Sequence, residues 1–232
     1  MTPSSLDLSE LSSLTDNISL SKKLELIEEV DLNDQDQLSV LYSFLESRIL
    51  QQKTDPDCID GTIYKLLVSS NNQSILDWLD SNFKYGFVDR NSKFYTYYFE
   101  LQHLLIEDNF QQADICTAKL LCTLANLTKR NWLYFSDVRK IPQKDLHILD
   151  NLWKIFSKGK FGFSIQRQIW LNGDKDWNLL WDKIGWRQEE VLCRYPEEFI
   201  WDLSAPAGHL PLSNQLRGVQ TLNSLFGLSI WK

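Results

Sequence analysis

The 232-residue sequence predicts an all-α protein: a small N-terminal helical bundle followed by a larger helical domain. Three observations predict it. Apolar residues recur at helical spacing through most of the chain. Helix-capping residues, Asp, Asn and Ser, precede the periodic stretches, and glycines close several of them. Only residues 131–140 read as extended and partly strand-like. A composition that is 43% hydrophobic and 24% charged supplies both a core and an ordinary soluble surface.

The elements follow in order. Residues 1–17 are rich in serine and acids and read as a frayed start. Residues 19–30 form a first helix with Ser21 as its N-cap. Residues 33–50 form a second, capped by Asp34 or Asp36, with Leu38, Leu41, Tyr42, Leu45 and Ile49 on one stripe. The turn 53–61 leads to short helices near 59–69 and 73–82. The segment 84–94, with Gly86, Asp89, Asn91 and Ser92, reads as a linker. The expected domains are therefore 1–88 and 89–232.

The second domain opens with helices 94–109 and 110–127, joined tightly enough to form an antiparallel hairpin in which Ala113 and Ala118 permit close approach. Residues 131–140 read as extended and partly strand-like. Residues 141–159 carry Pro142 at the first helical position and Gly159 beyond the end, with Leu146, Leu149, Trp153 and Phe156 on one face. A helix over 161–173 takes Ser164 as N-cap, and one over 174–186 takes Asp174 or Asp176 and breaks at Gly185. Residues 187–206 are irregular. After the turn AGHLPL, helix 213–228 starts at Ser213 and places Arg217 in its second turn.

Charge is unevenly spread. Residues 1–60 hold 13 acids and 4 bases, whereas 61–232 hold 18 and 20. The acidic first part argues against nucleic acid. No apolar run approaches the roughly 18 residues of a membrane span. The first residues show no secretory signal and, being acidic and without arginine, no transit peptide. A protein acting in an organelle would then be made there, or its transit peptide has been removed. Cys58, Cys116, Cys122 and Cys193 lack metal or redox spacing and read as buried thiols. The three histidines form no zinc motif.

The search for chemistry ends in a binding surface. There is no nucleophile elbow, phosphate loop or metal constellation. Glu189/Glu190 and Glu197/Glu198 are sequence neighbours that do not share a helix face, so they are weak acid–base candidates. His209 reads as a side chain fixing its own turn. The four bases Lys154, Lys158, Lys160 and Arg167 read first as a solvated face and second as an anion contact. Six of nine tryptophans lie between 153 and 201. Trp153 and Trp170 suit the core, whereas Trp181 and Trp186 border irregular chain, where aromatic binding surfaces form. A flat ligand offering ~300 Å² of apolar face would gain roughly 7 kcal/mol gross, and association costs bring this near micromolar. Arg217, with Arg194 in reserve, would orient a carboxylate on it.

The motifs IPQKDLHILDNLW, GKFGFSIQRQIW, WDKIGW and LSAPAGHLPLSNQLRG resemble the genomes-uncoupled family of tetrapyrrole-binding proteins over about residues 90–225. The resemblance implies a cupped all-helical porphyrin-binding domain that binds protoporphyrin IX and magnesium protoporphyrin IX. It implies no catalysis of its own. The protein would stimulate magnesium chelatase in chlorophyll biosynthesis by acting with the large porphyrin-binding subunit. It would be a monomer in the stroma of a plastid that encodes it, or in a cyanobacterial cytoplasm, with peripheral membrane association left open. On this chain the apolar palm would use Phe161, Phe163, Trp181, Ile184, Trp186 and Leu210, with Arg217 meeting a propionate. Gln220 stands where the resemblance leads one to expect a second arginine. The competing reading is a protein-interaction or sensing module without pigment delivery. An enzyme is the third and has little support.

Overall fold

The structure is a computed structural model and describes residues 19–88, 91–212 and 219–231. The chain divides into two compact units, 1–87 and 88–232. Both are helical, with a single two-residue strand pair among the described residues.

In the first unit, α1 spans Leu20–Glu28 and buries Leu24 and Ile27. Its cap is Ser19, not Ser21, because the Ser19 hydroxyl reaches the Lys22 amide. Helix α2 (Gln35–Leu45) is capped by Asp34 and buries Leu38, Leu41 and Leu45, the expected stripe. It continues as a wider π-helical turn, Glu46–Gln51, so the predicted single helix changes pitch at Glu46. Helix α3 (Cys58–Ser69) opens on a reciprocal capping box between Asp57 and Asp60. Arg48 ties that box to the end of α2. Its guanidinium donates to both oxygens of the buried Asp60, at 2.9 and 3.0 Å, and to Asp57 at 2.8 Å. Helix α4 (Gln73–Phe83) takes Asn72 as cap and carries Phe83 onto Tyr64 and Phe87.

The second unit is built on three helices. Helices α5 (Tyr95–Ile106) and α6 (Phe110–Leu124) form the expected hairpin, and α7 (Gln143–Phe156) packs against both. Asp108 turns the corner at φ 55°, and Asn109 caps α6. Ala113 lies fully inside, whereas Ala118 is exposed. Helix α7 buries Leu146, Leu149, Trp153 and Phe156 as its pattern requires, and Pro142 sits at the cap, one position before the predicted place. Trp153 is sealed by an indole N–H bond to the Thr117 hydroxyl of α6, 2.9 Å.

Around this frame run α8 (Phe163–Asn172), α9 (Trp177–Lys183), the pair β1 (Arg187–Gln188) and β2 (Val191–Leu192), and α10 (Gln220–Phe226). Helix α8 begins at Gly162, not Ser164. Asp150 of α7 supplies the cap from outside, accepting the Ser164 amide and hydroxyl at 2.8 and 2.7 Å. Residues 131–140 contain no strand; they form turns and a short 3₁₀ helix, Val138–Lys140. Ser213, expected as the last helix's cap, lies outside the described residues.

Candidate functional site

The predicted palm residues come together, but inside the unit. Phe161, Phe163, Ile184, Trp186 and Leu210 have no exposure, and Trp181 has 8%. Their packing explains why. Phe161 meets Phe110 edge-on at 5.4 Å between ring centroids. The Gly162 amide donates to the Leu210 carbonyl, 3.0 Å, which joins FGFS to the turn near His209. Trp181 stacks on Trp186 at 5.3 Å, and the Trp186 indole donates to the His209 carbonyl at 2.7 Å. These six positions face the interior of the unit rather than solvent. They form a sealed aromatic wall, because irregular chain at Gly185 and Gly208 lets the turn close over them.

His209 is the hub of that wall. Its Nδ1–H donates to the Ile184 carbonyl, 2.6 Å, and its Nε2 accepts the Ile200 amide, 3.0 Å. These two bonds define a neutral imidazole, and burial lowers its pKa against the opposing pull of the Ile184 carbonyl. The basic run is likewise used internally. Lys154 pairs with Asp150, Lys160 donates to the Leu203 carbonyl and Arg167 to that of Phe226. Arg194 is on the surface beside Glu198. Arg217 lies outside the described residues, and Gln220 opens α10 on an exposed position.

An apolar opening occurs elsewhere in the unit. Ala118, Leu121 and Cys122 of α6, Asn131, Trp132 and Leu133 of the following loop, and Leu212 and Thr221 enclose a slot of about 70 Å³. The loop is pinned by Asp137, which is buried. It accepts from Lys140 at 2.8 Å, from the Tyr134 amide at 2.9 Å, and from Arg130. Burial would raise the Asp137 pKa, but these donors outweigh it and hold the carboxyl well below the usual range. Arg130 also lies over the Tyr134 ring at 4.5 Å. The staple leaves Tyr134 and Phe135 at 53% and 51% exposure, beside the slot in sequence. Cys122 is kept as a thiol, since burial raises its pKa more than Arg130 lowers it.

Reading the sequence missed this slot. The available signal was Trp132, Tyr134 and Phe135 within four residues, beside Lys129 and Arg130. Among the described residues no cluster of His, Cys, Asp and Glu could hold a metal ion, and no helix is long and apolar enough to cross a membrane. What the arrangement offers is an apolar recess lined by Trp132, on a loop that also carries the exposed Tyr134 and Phe135.

Comparison with known proteins follows the same division of the chain. A family model described as GUN4-like matches residues 91–228, and a second, described as ARM-like repeat domain, GUN4-N terminal, matches 1–84. The chain belongs to the GUN4-like family. The ycf53 protein of Porphyra purpurea is 45% identical over 91% of this chain and 90% of its own length. The chloroplastic tetrapyrrole-binding protein of Arabidopsis thaliana is 42% identical over 53% of this chain and 50% of its own. The solved structure of GUN4 from Chlamydomonas reinhardtii superposes with a TM-score of 0.54 and 38% identity, covering 58% of this chain and 89% of that one.

Proposed function

We propose that this GUN4-like chain binds protoporphyrin IX and magnesium protoporphyrin IX and stimulates magnesium chelatase, acting with its large porphyrin-binding subunit in a plastid and doing no catalysis itself. The tetrapyrrole-binding name of the Arabidopsis relative supports the ligand class. The observation that carries the reading on this chain is the slot between α6 and the 131–133 loop. It is far smaller than the roughly 300 Å³ lower bound of drug-sized pockets. It therefore takes an edge of the macrocycle, while Tyr134 and Phe135 offer aromatic surface to the rest. The six buried residues Phe161, Phe163, Trp181, Ile184, Trp186 and Leu210 act as the rigid backing of the domain. Arg217, five residues beyond Leu212, stays the proposed partner of a propionate.

The test is a titration with deuteroporphyrin IX and its magnesium form, followed at the Soret band. Ala118→Phe fills the slot from an exposed helix position and is expected to weaken binding at least tenfold. Gln112→Phe, on an exposed position of the same helix outside the slot, is expected to leave it unchanged. Arg217→Ala should cost about tenfold, the worth of one lost charge-assisted contact of ~1.4 kcal/mol. Equal affinities for the Ala118 variant and the wild type would refute the slot. A chelatase assay that is indifferent to the added chain would refute the stimulation.

A further inference from the structure

Asp114 is the one acid of α6 that lies inside the unit, with 4% of its surface exposed. It precedes Ala118 by one helical turn, so the two share a face of the helix. Its Oδ1 accepts the Leu212 amide at 2.6 Å, a bond that spans 98 residues of sequence. Leu212 and Ala118 both line the slot. The carboxylate thus fixes one wall of the recess to the helix that forms another.

The charge on this group works against the fold. Burial pushes the Asp114 carboxyl up to about 7, with the Leu212 amide drawing it part of the way back. Among the described residues no charged group on α5 or α7 contributes to that balance. The titratable side chain that feels Asp114 is Tyr195, whose phenol is raised by burial first and by this carboxylate second. A folded-state pKa above the unfolded one means that the folded chain holds the proton more tightly. Stability from this group is therefore full below about pH 4 and declines as pH rises to about 7. An asparagine would hold the Leu212 amide without that cost. A buried acid whose charge is costly, set beside a recess, is a candidate for a role in which the charge is used.

We propose that Asp114 is a positioning residue for the ligand slot: its carboxylate holds the Leu212 wall, and ligand affinity follows its charge state. The inference rests on the tetrapyrrole reading of the slot. A charged acceptor holds an N–H about twice as strongly as a neutral one. The wall is then fixed above neutrality and loosens as the group takes up its proton.

Two measurements decide it. The first is deuteroporphyrin IX affinity of the full chain at pH 8 and pH 6, with Asp114→Asn as reference, so that titration of the ligand's own carboxylates cancels. Wild-type affinity should fall about fivefold relative to Asp114→Asn between the two pH values. Asp114→Leu, which removes the acceptor, should lose at least tenfold at pH 8. The second is the Leu212 amide resonance of the ligand-free protein, which should titrate with a midpoint near 7 in the wild type and stay fixed in Asp114→Asn. A wild-type affinity that tracks Asp114→Asn at both pH values overturns the proposal. So does a Leu212 amide that does not titrate. If no variant binds porphyrin at either pH, the tetrapyrrole reading fails, and a titrating Leu212 amide would still establish the clamp itself.

Discussion

Replacing Gly162 by alanine tests how the aromatic wall is held. Gly162 has φ +137°, a conformation that L side chains rarely adopt. A Cβ there would stand 2.9 Å from the Asp150 Oδ1 and 3.2 Å from the Lys154 Cγ. The lysine stem can yield. The Asp150 carboxylate cannot, because it is buried and holds the Ser164 amide and hydroxyl that start α8. The backbone strain is worth about 1–3 kcal/mol. Pulling the carboxylate off its donors adds about 1.5–3 kcal/mol. A total of roughly 2.5–6 kcal/mol should lower the melting temperature by on the order of 10 °C. Tryptophan emission reads this unit well, since every tryptophan but Trp78 lies in it. Gly227→Ala is the control: its φ of −78° suits alanine, and the new Cβ would meet the Asn223 carbonyl at 3.2 Å. It should cost under about 1 kcal/mol. In an Asp150→Ala background Gly162→Ala should cost only the backbone part, so the two changes should be non-additive by about 1.5–3 kcal/mol. Equal melting temperatures for the two glycine variants, or strict additivity, would refute the account.

Two further expectations concern the core. Thr117→Val keeps the shape of the side chain but orphans the Trp153 indole N–H, both partners being fully buried. Denaturant unfolding should show a loss of about 1–3 kcal/mol, and a loss within error would show that the bond adds nothing. His209 is buried neutral with a lowered pKa. Its contribution to stability is therefore present above its unfolded pKa, about 6.5, and is lost as pH falls through the lower folded value. His209→Gln should flatten the acid limb of a stability–pH curve below about pH 6.5, and an unchanged limb would remove His209 from the account.

The helices were legible because their signals are local. The stripe of Leu38, Leu41 and Leu45, the Asp34 cap and the face of α7 all survive in the structure. The errors arose where a cap came from a distant residue. Ser164 has the right chemistry for an N-cap, but Asp150 already supplies the carboxylate, so the helix begins earlier, at a glycine. Residues 131–140 are apolar enough to suggest a strand, yet Asp137 gathers Arg130, Lys140 and the Tyr134 amide into a compact turn. No periodicity encodes a staple of that kind.

Composition cannot tell whether a tryptophan beside a glycine turn faces water or the turn. Here the turns fold inward: Gly208 at φ +78° brings its backbone so near α8 and Ile184 that a Cβ would stand 2.9 Å from the Ile169 Cδ1 and 3.0 Å from the Ile184 Cγ2. Gln166 bonds the Gly208 and Pro211 carbonyls from below, and Trp186 and His209 complete the seal. Leu212 is the next residue along this chain, and it is where the sealed wall reaches the slot. The wall therefore does not need to touch a ligand to matter for one. By fixing Pro211 through Gln166 and the Leu212 amide through Asp114, it sets the position of one slot wall from two sides. Changes deep in the aromatic block should for that reason alter binding through Leu212, and the motifs that mark the family are carried more by this support than by the recess itself.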